Sequence, residues 1–350
     1  MSEALRDRVE AALRAFIGPA TDGLRMIGPD LGPVADAAAD FVLAGGKRLR
    51  PAFCFWGALA AGGEDSEALV HAAASLELLQ ACALVHDDLI DHSDTRRGRP
   101  AVHRRFADLH RESGWTGDPD DFGAAAAILL GDVLLAWSEA MFLTCGLHDG
   151  ALRRAQPVCA AMRTEVMAGQ YLDVVEQARG GTTVDRALRV ARFKSAKYTV
   201  ERPLHLGAAI ARASDEVKGA YSDFGLPLGE AFQLRDDLLG VFGDPAVTGK
   251  PAGDDLREGK QTALIALAVE RASAADGGML LGLLGRSDLT AADVQRAQEV
   301  ITATGAASEV EAMISARLDA ALSALDDIAL EPAGRDALVT LASAASYRHE

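Results

Sequence analysis

The sequence is poor in the residues that define several protein classes. Four of its 350 residues are cysteine (Cys54, Cys82, Cys145 and Cys159), and no two form a CxxC pair. That excludes a zinc ribbon or a disulfide scaffold and makes a reducing cytoplasm the expected compartment. Aromatic residues are 5% of the chain, which favours close helix packing over sheet. Basic side chains number 35 against 51 acidic ones, a formal net charge of −16. A surface of that sign disfavours nucleic acid and anionic lipid as partners. The segment Met1 to Glu10 carries Glu3, Arg6, Asp7, Arg8 and Glu10 and lacks the apolar core of a signal peptide. The most apolar stretch, Gly123 to Trp137, is shorter than a bilayer crossing and contains Asp132, so no membrane span is expected. Strand-like alternation and fixed repeats are also missing.

Helical periodicity is plentiful. Leu5, Val9, Leu13 and Phe16 recur at three- and four-residue steps, as do Leu69, Ala73, Leu76 and Ala83, and later Val310, Ile314, Leu318, Leu322 and Leu325. Breaks are expected at Gly18-Pro19, Gly28-Pro29, Gly45-Gly46, Gly62-Gly63, Ser113 to Asp121, Gly180-Gly181, Gly243 to Gly253, Asp276 to Gly278 and Glu331-Pro332. Thr290-Ala-Ala-Asp293 has the form of a capping box. The expected fold is all-α, with about ten helices around one cavity, and residues 1–350 form one domain.

Two aspartate pairs end apolar helical stretches. In Leu84-Val-His-Asp87-Asp88-Leu-Ile-Asp91, Asp87 and Asp91 share a helix face. The second pair is Asp236-Asp237, in Phe232-Gln-Leu-Arg-Asp-Asp. Like charges so close require counter-charge, and hard divalent ions such as Mg²⁺ prefer carboxylate and phosphate oxygens. An exposed acidic helix end is the alternative for either motif alone. Cations sit nearby, in Gly45-Gly-Lys47-Arg-Leu-Arg50-Pro, in Asp94-Thr-Arg96-Arg97-Gly-Arg-Pro, at Lys194 and Lys197, and at Lys250 and Lys260. Acid pairs alternating with cations suit a metal-bridged diphosphate.

At this point the chain resembles the trans-type isoprenyl diphosphate synthases, the polyprenyl synthetases. The motifs GGKRLRP, DDLID with DTRRGRP, GQYLD, KSAK, FQLRDDLLGVFGD, TGK and GKQT run in order from about Gly45 to Thr262. The resemblance implies an isoprenoid-synthase-type helical bundle around a deep central cavity, usually as a homodimer. It implies joining of isopentenyl diphosphate to an allylic diphosphate. Asp87, Asp88, Asp91, Asp236 and Asp237 would then hold about three Mg²⁺. Arg96, Lys194, Gln233, Lys250 and Lys260 would contact the allylic diphosphate, with Ser195 where a threonine is common. Lys47, Arg50 and Arg97 would bind isopentenyl diphosphate, and Gln80 would do so where histidine is common. Gln170, Asp173 and Asp244 would support them. Gly240 stands where the family's second motif has a third aspartate. The C-terminal Tyr347 to Glu350 has no strong basic tail.

The growing chain would run beside the helix carrying Asp87. Ala83 and Cys82 would lie about 6 and 7.5 Å deeper along its axis, where short-chain members of the family carry bulky aromatics. Both are small, so a C20 product, geranylgeranyl diphosphate, is expected, with Leu79 forming the next floor. A farnesyl or longer product, a class I terpene cyclase and a silent diphosphate-binding subunit are the alternatives. His86 is expected to pack or orient rather than act as a base.

Overall fold

A computed structural model describes residues 3–243 and 253–346 of the chain. Asp244, Lys250 and the C-terminal Tyr347 to Glu350, all weighed above, lie outside the described residues. The described chain is almost wholly helical, as expected. It packs as two compact units: residues 1–158, 203–213 and 330–337, and residues 159–202, 214–329 and 338–350.

The first unit opens with α1 (Glu3–Ile27), a 3₁₀ turn (Pro29–Leu31), α2 (Gly32–Leu43), α3 (Leu49–Ala60) and α4 (Glu67–Ile90). The expected break at Gly18-Pro19 does not occur, and α1 runs through Pro19. Buried Leu13, Ile17 and Thr21 anchor it on both sides. The Thr21 hydroxyl donates to the Ile17 and Gly18 carbonyls, so packing outweighs the cost of proline. Ser66 caps α4 by accepting from the Leu69 N–H at 3.2 Å. Nearly every residue from Leu69 to Cys82 is buried, which makes α4 the central helix of its unit. After α4 comes a short ladder pairing Thr95 with Pro100 and Arg96 with Arg99, which the absence of alternation had hidden.

α5 (Val102–Glu112) and α6 (Pro119–Leu143) follow. The loop between them is closed by aromatic edges: Trp115 stands 5.9 Å from the His110 ring and 5.2 Å from Phe122. α6 is longer than the apolar run suggested. Both α4 and α6 are long and apolar enough to cross a membrane, but most of the apolar stretch of α4 is buried in the fold, and less than half of that of α6.

α7 (Asp149–Arg179) supplies residues to each unit, and α9 (Arg202–Ile210) belongs mainly to the first. The second unit adds α8 (Val184–Ala191), a π-helix (Arg192–Glu201), α10 (Asp215–Phe242), α11 (Asp254–Arg257), α12 (Ala263–Arg271), α13 (Ala274–Leu283), α14 (Ala291–Ala303) and α15 (Ala306–Ser323). α16 (Pro332–Ser346) ends the described chain. The core of the second unit includes Leu234, Leu238, Leu264, Leu280, Ile301 and Ile314. The expected capping box is present, with Thr290 N–H donating to Asp293 at 2.9 Å and Asp293 N–H to Thr290 at 3.2 Å. The expected break at Asp276 to Gly278 is instead helix, because Ser273 caps α13 through the Asp276 N–H.

Candidate active site

In the first unit the acid motif sits on the last turn of α4. The Ser93 N–H reaches back to the Asp88 carbonyl at 2.9 Å and the His92 N–H to that of Leu89 at 3.3 Å. His92 takes the left-handed conformation, φ +54°. That is a Schellman-type stop, here on a residue other than glycine. Asp87 and Asp91 are half-buried, and Asp88 is 1% exposed. Carboxylates at a helix C-terminus also meet the negative end of the helix dipole, so this end demands cations. Arg96 supplies one: its Nε donates to Asp88 Oδ1 at 2.8 Å, its Nη2 contacts the same oxygen, and it stands 3.8 Å from Asp87.

The Arg96 hairpin also reaches the glycine-led basic loop. Its tight turn has φ +53° at Arg97 and +71° at Gly98, the two positive values that a type I′ turn requires. Arg97 Nη1 donates to the Gly45 carbonyl at 2.9 Å. Gly45 (φ +83°) and Gly46 (φ +147°) shape the loop that carries Lys47, which is exposed, and Arg50, which is half-buried at the start of α3. Gln80 is half-buried on α4.

His86 docks on α6. Its Nε2 lies 3.0 Å from the Ile128 carbonyl, and a Cβ at Gly131 would collide with its ring. The imidazole packs, as expected. Among the residues tied to product length, Cys82 and Leu79 are buried and Ala83 is partly exposed. Burial, with the charge of Asp132 adding, pushes the Cys82 thiol up to about 12, so it behaves as a small apolar group.

The second unit carries its acid pair near the end of α10. Asp236 is exposed, whereas Asp237 is 6% exposed. Burial pushes the Asp237 carboxyl up to about 8, and the charges of Asp255 and Asp236 add to the shift. The Gln233 amide opposes it by donating to Asp237 Oδ1 at 2.8 Å. The structure explains Gly240. A Cβ there would collide with the carboxylate of Asp255, so an acid from α11 fills the space where the motif lacks its own third aspartate. Lys260 stands 3.6 Å from Asp255 and 2.5 Å from Glu258. Sequence reading missed Asp255; the available signal was the acidic Asp254-Asp255 pair just before Gly259-Lys260.

Lys194 and Ser195 lie in the π-helix. Such widened turns cluster at functional sites. Here glycines make the room: a Cβ at Gly169 on α7 would strike the Lys194 backbone, and one at Gly229 on α10 would strike Ala196. The Lys194 ammonium donates to buried Asp173 at 2.6 Å, and Ser195 is buried. Lys197 turns instead to Glu165 (2.9 Å) and Glu201 (3.2 Å). Arg202 also donates to Glu165, at 2.6 Å. Burial raises the Glu165 carboxyl, but the Arg202 and Lys197 hydrogen bonds outweigh it and leave it below its ordinary value.

The donor chemistry suits magnesium. Each acid cluster offers carboxylate oxygens, the donors a hard divalent ion prefers, although among the described residues no three His, Cys, Asp or Glu side chains gather into a metal site by themselves.

Comparison with known proteins agrees with this chemistry. The chain is 36% identical over 292 residues to the geranylgeranyl diphosphate synthase of Mycobacterium tuberculosis, covering 82% of this chain and 77% of the relative. It is 33% identical over 282 residues to the geranylfarnesyl diphosphate synthase of Aeropyrum pernix, covering 79% of this chain and 82% of that one. A geranylgeranyl pyrophosphate synthase from Corynebacterium glutamicum, crystallised with isoprenyl diphosphate and magnesium, matches with a TM-score of 0.95 and 44% identity over 99% of both chains. With residues 33–301 matching the family described as Polyprenyl synthetase, the chain belongs to that family of trans-prenyltransferases.

Proposed function

We propose that the chain adds isopentenyl diphosphate head-to-tail (1′-4) to an allylic diphosphate and releases geranylgeranyl diphosphate (C20) as its main product. The observation that carries the chain length is Ala83: one turn before Asp87 it offers only a methyl group, beside buried Cys82, with Leu79 below. Relatives named for C20 and C25 products stand at 36% and 33% identity, so overall similarity does not separate the lengths. The supporting test is chromatography of the product made by purified protein. C20 is expected from wild type and a shorter product from Ala83→Phe. A C15 product from both would contradict the assignment.

Asp87, Asp88, Asp91, Asp236 and Asp237 are assigned as the carboxylates for about three Mg²⁺ on the allylic diphosphate. Bound there, magnesium supplies the neutralisation that lets diphosphate depart. Arg96, Lys194, Lys250 and Lys260 add fixed positive charge to the leaving group. Gln233 orients Asp237, and Asp173 orients Lys194. Lys47, Arg50, Gln80 and Arg97 hold isopentenyl diphosphate so that its double bond can attack. The allylic carbon–oxygen bond breaks, and diphosphate takes the electron pair. The isopentenyl double bond then closes on the allylic carbon, and a proton passes to the released diphosphate. No Ser-His-Asp set is needed.

Residues 1–350 act as one functional domain in this reading, which the family match from residue 33 to residue 301 supports. A homodimer is proposed on the exposed apolar residues of α6, Ile128, Leu129 and Leu143. Light scattering should give twice the chain mass, and Leu129→Asp should lower it. Four free, buried cysteines support a cytoplasmic setting.

A further inference from the structure

We propose that Glu77 and Arg48, which contact no substrate in the reading above, form the positioning pair that presents the basic loop to isopentenyl diphosphate. Arg48 lies between Lys47 and Arg50 but turns inward. It is 4% exposed, and its partner Glu77 on α4 is 6% exposed. Arg48 Nη1 donates to Glu77 Oε2 at 2.6 Å, and Nη2 donates to the Val42 carbonyl at 2.9 Å. Buried this deeply, the guanidinium is anchored rather than offered to a ligand.

The backbone at Arg48 explains the anchor. It is left-handed, with φ +49°, a conformation that costs an L-residue free energy unless its surroundings hold it. The loop therefore has three positive-φ positions, at Gly45, Gly46 and Arg48, with Lys47 between the last two. A buried ion pair is a poor source of net stability, because desolvating both charges offsets their attraction. A strained loop whose cation must point outward gives the pair a positional role.

One helix face links both ends of this arrangement. Glu77 and Asp88 are eleven residues apart on α4, about 20° apart around its axis. Glu77 holds the basic loop through Arg48, Asp88 holds the hairpin through Arg96, and Arg97 ties the hairpin back to Gly45. The loop and the first acid cluster are thus set in register by α4.

This inference rests on Lys47 binding isopentenyl diphosphate, so Lys47→Ala is measured alongside. The main variant is Arg48→Met with Glu77→Leu, which replaces the pair by apolar groups of similar size. Its thermal midpoint should stay near wild type. Its KM for isopentenyl diphosphate should rise at least tenfold, with the allylic KM within twofold. Calorimetric titration with isopentenyl diphosphate alone, where no turnover occurs, should show the same loss. Glu77→Gln keeps an acceptor for Arg48 but removes the charge, and should raise that KM about threefold. It decides the matter if the double variant does not fold. Isopentenyl diphosphate binding within twofold of wild type in the folded double variant, or in Glu77→Gln if that alone folds, overturns the positioning role. An unchanged KM in Lys47→Ala overturns the site assignment instead.

Discussion

The two acid clusters are built from similar residues and balanced in opposite ways. At the end of α4 the most buried carboxylate, Asp88, is held by the guanidinium of Arg96. At the end of α10 the most buried one, Asp237, receives a neutral amide from Gln233, and burial, with the charges of Asp255 and Asp236 adding, raises its carboxyl to about 8. Asp88 therefore has its counter-charge before any ligand arrives. Asp237 carries an electrostatic cost that a divalent ion would relieve if it binds there as proposed. The same chemistry can therefore stabilise the fold at one place and strain it at another.

The largest expected effects leave this contrast aside and test whether both clusters act. Asp87→Ala and Asp236→Ala should each lower turnover by about three orders of magnitude or more, with the helical circular dichroism signal unchanged. Near-normal turnover in either removes that cluster from the mechanism. Restoring the missing acid with Gly240→Asp should harm rather than repair, because the side chain meets Asp255. Turnover should fall about a hundredfold; a gain would show that Asp255 yields its place.

Stability should separate the clusters by sign. Arg96→Met leaves Asp88 buried without its guanidinium and should cost roughly 3 kcal/mol in denaturant unfolding. Asp237→Asn should do the reverse in metal-free protein at pH 8. Folded Asp237 keeps its proton up to about 8, whereas its reference value is 3.8. Between those values the folded state binds more protons than the unfolded state, so raising the pH weakens the fold. The wild-type thermal midpoint should thus fall between pH 5 and pH 8, and the Asn variant should fall less. Equal slopes would mean that Asp237 ionises freely. The smallest effect is at Glu165, whose carboxyl lies below its ordinary value. Its contribution is present at neutral pH and is lost only as pH falls through its lowered range, so Glu165→Gln should flatten the acid limb of the melting profile.

What was legible in the sequence follows from the range of the interactions involved. Helices α1, α4 and α15 repeat apolar residues at local spacing, and the Thr290–Asp293 cap closes within one turn. The aspartate motifs and Lys47 are likewise contiguous signals. Pro19 and Gly277-Gly278 misled because buried neighbours and a Ser273 cap carry the helix past them. The π-helix depends on Gly169 and Gly229, distant in sequence, making room for one backbone. Asp255 over Gly240 and Arg48 against Glu77 are likewise long-range contacts with no local pattern.

The most direct measurement is a crystal structure with Mn²⁺ in place of Mg²⁺ and an unreactive allylic thiodiphosphate, read by anomalous scattering. Metal peaks should lie about 2.1 Å from carboxylate oxygens of both the Asp87–Asp91 turn and the Asp236–Asp237 pair, each ion also touching the diphosphate. Diphosphate bound with either cluster free of metal would contradict the account.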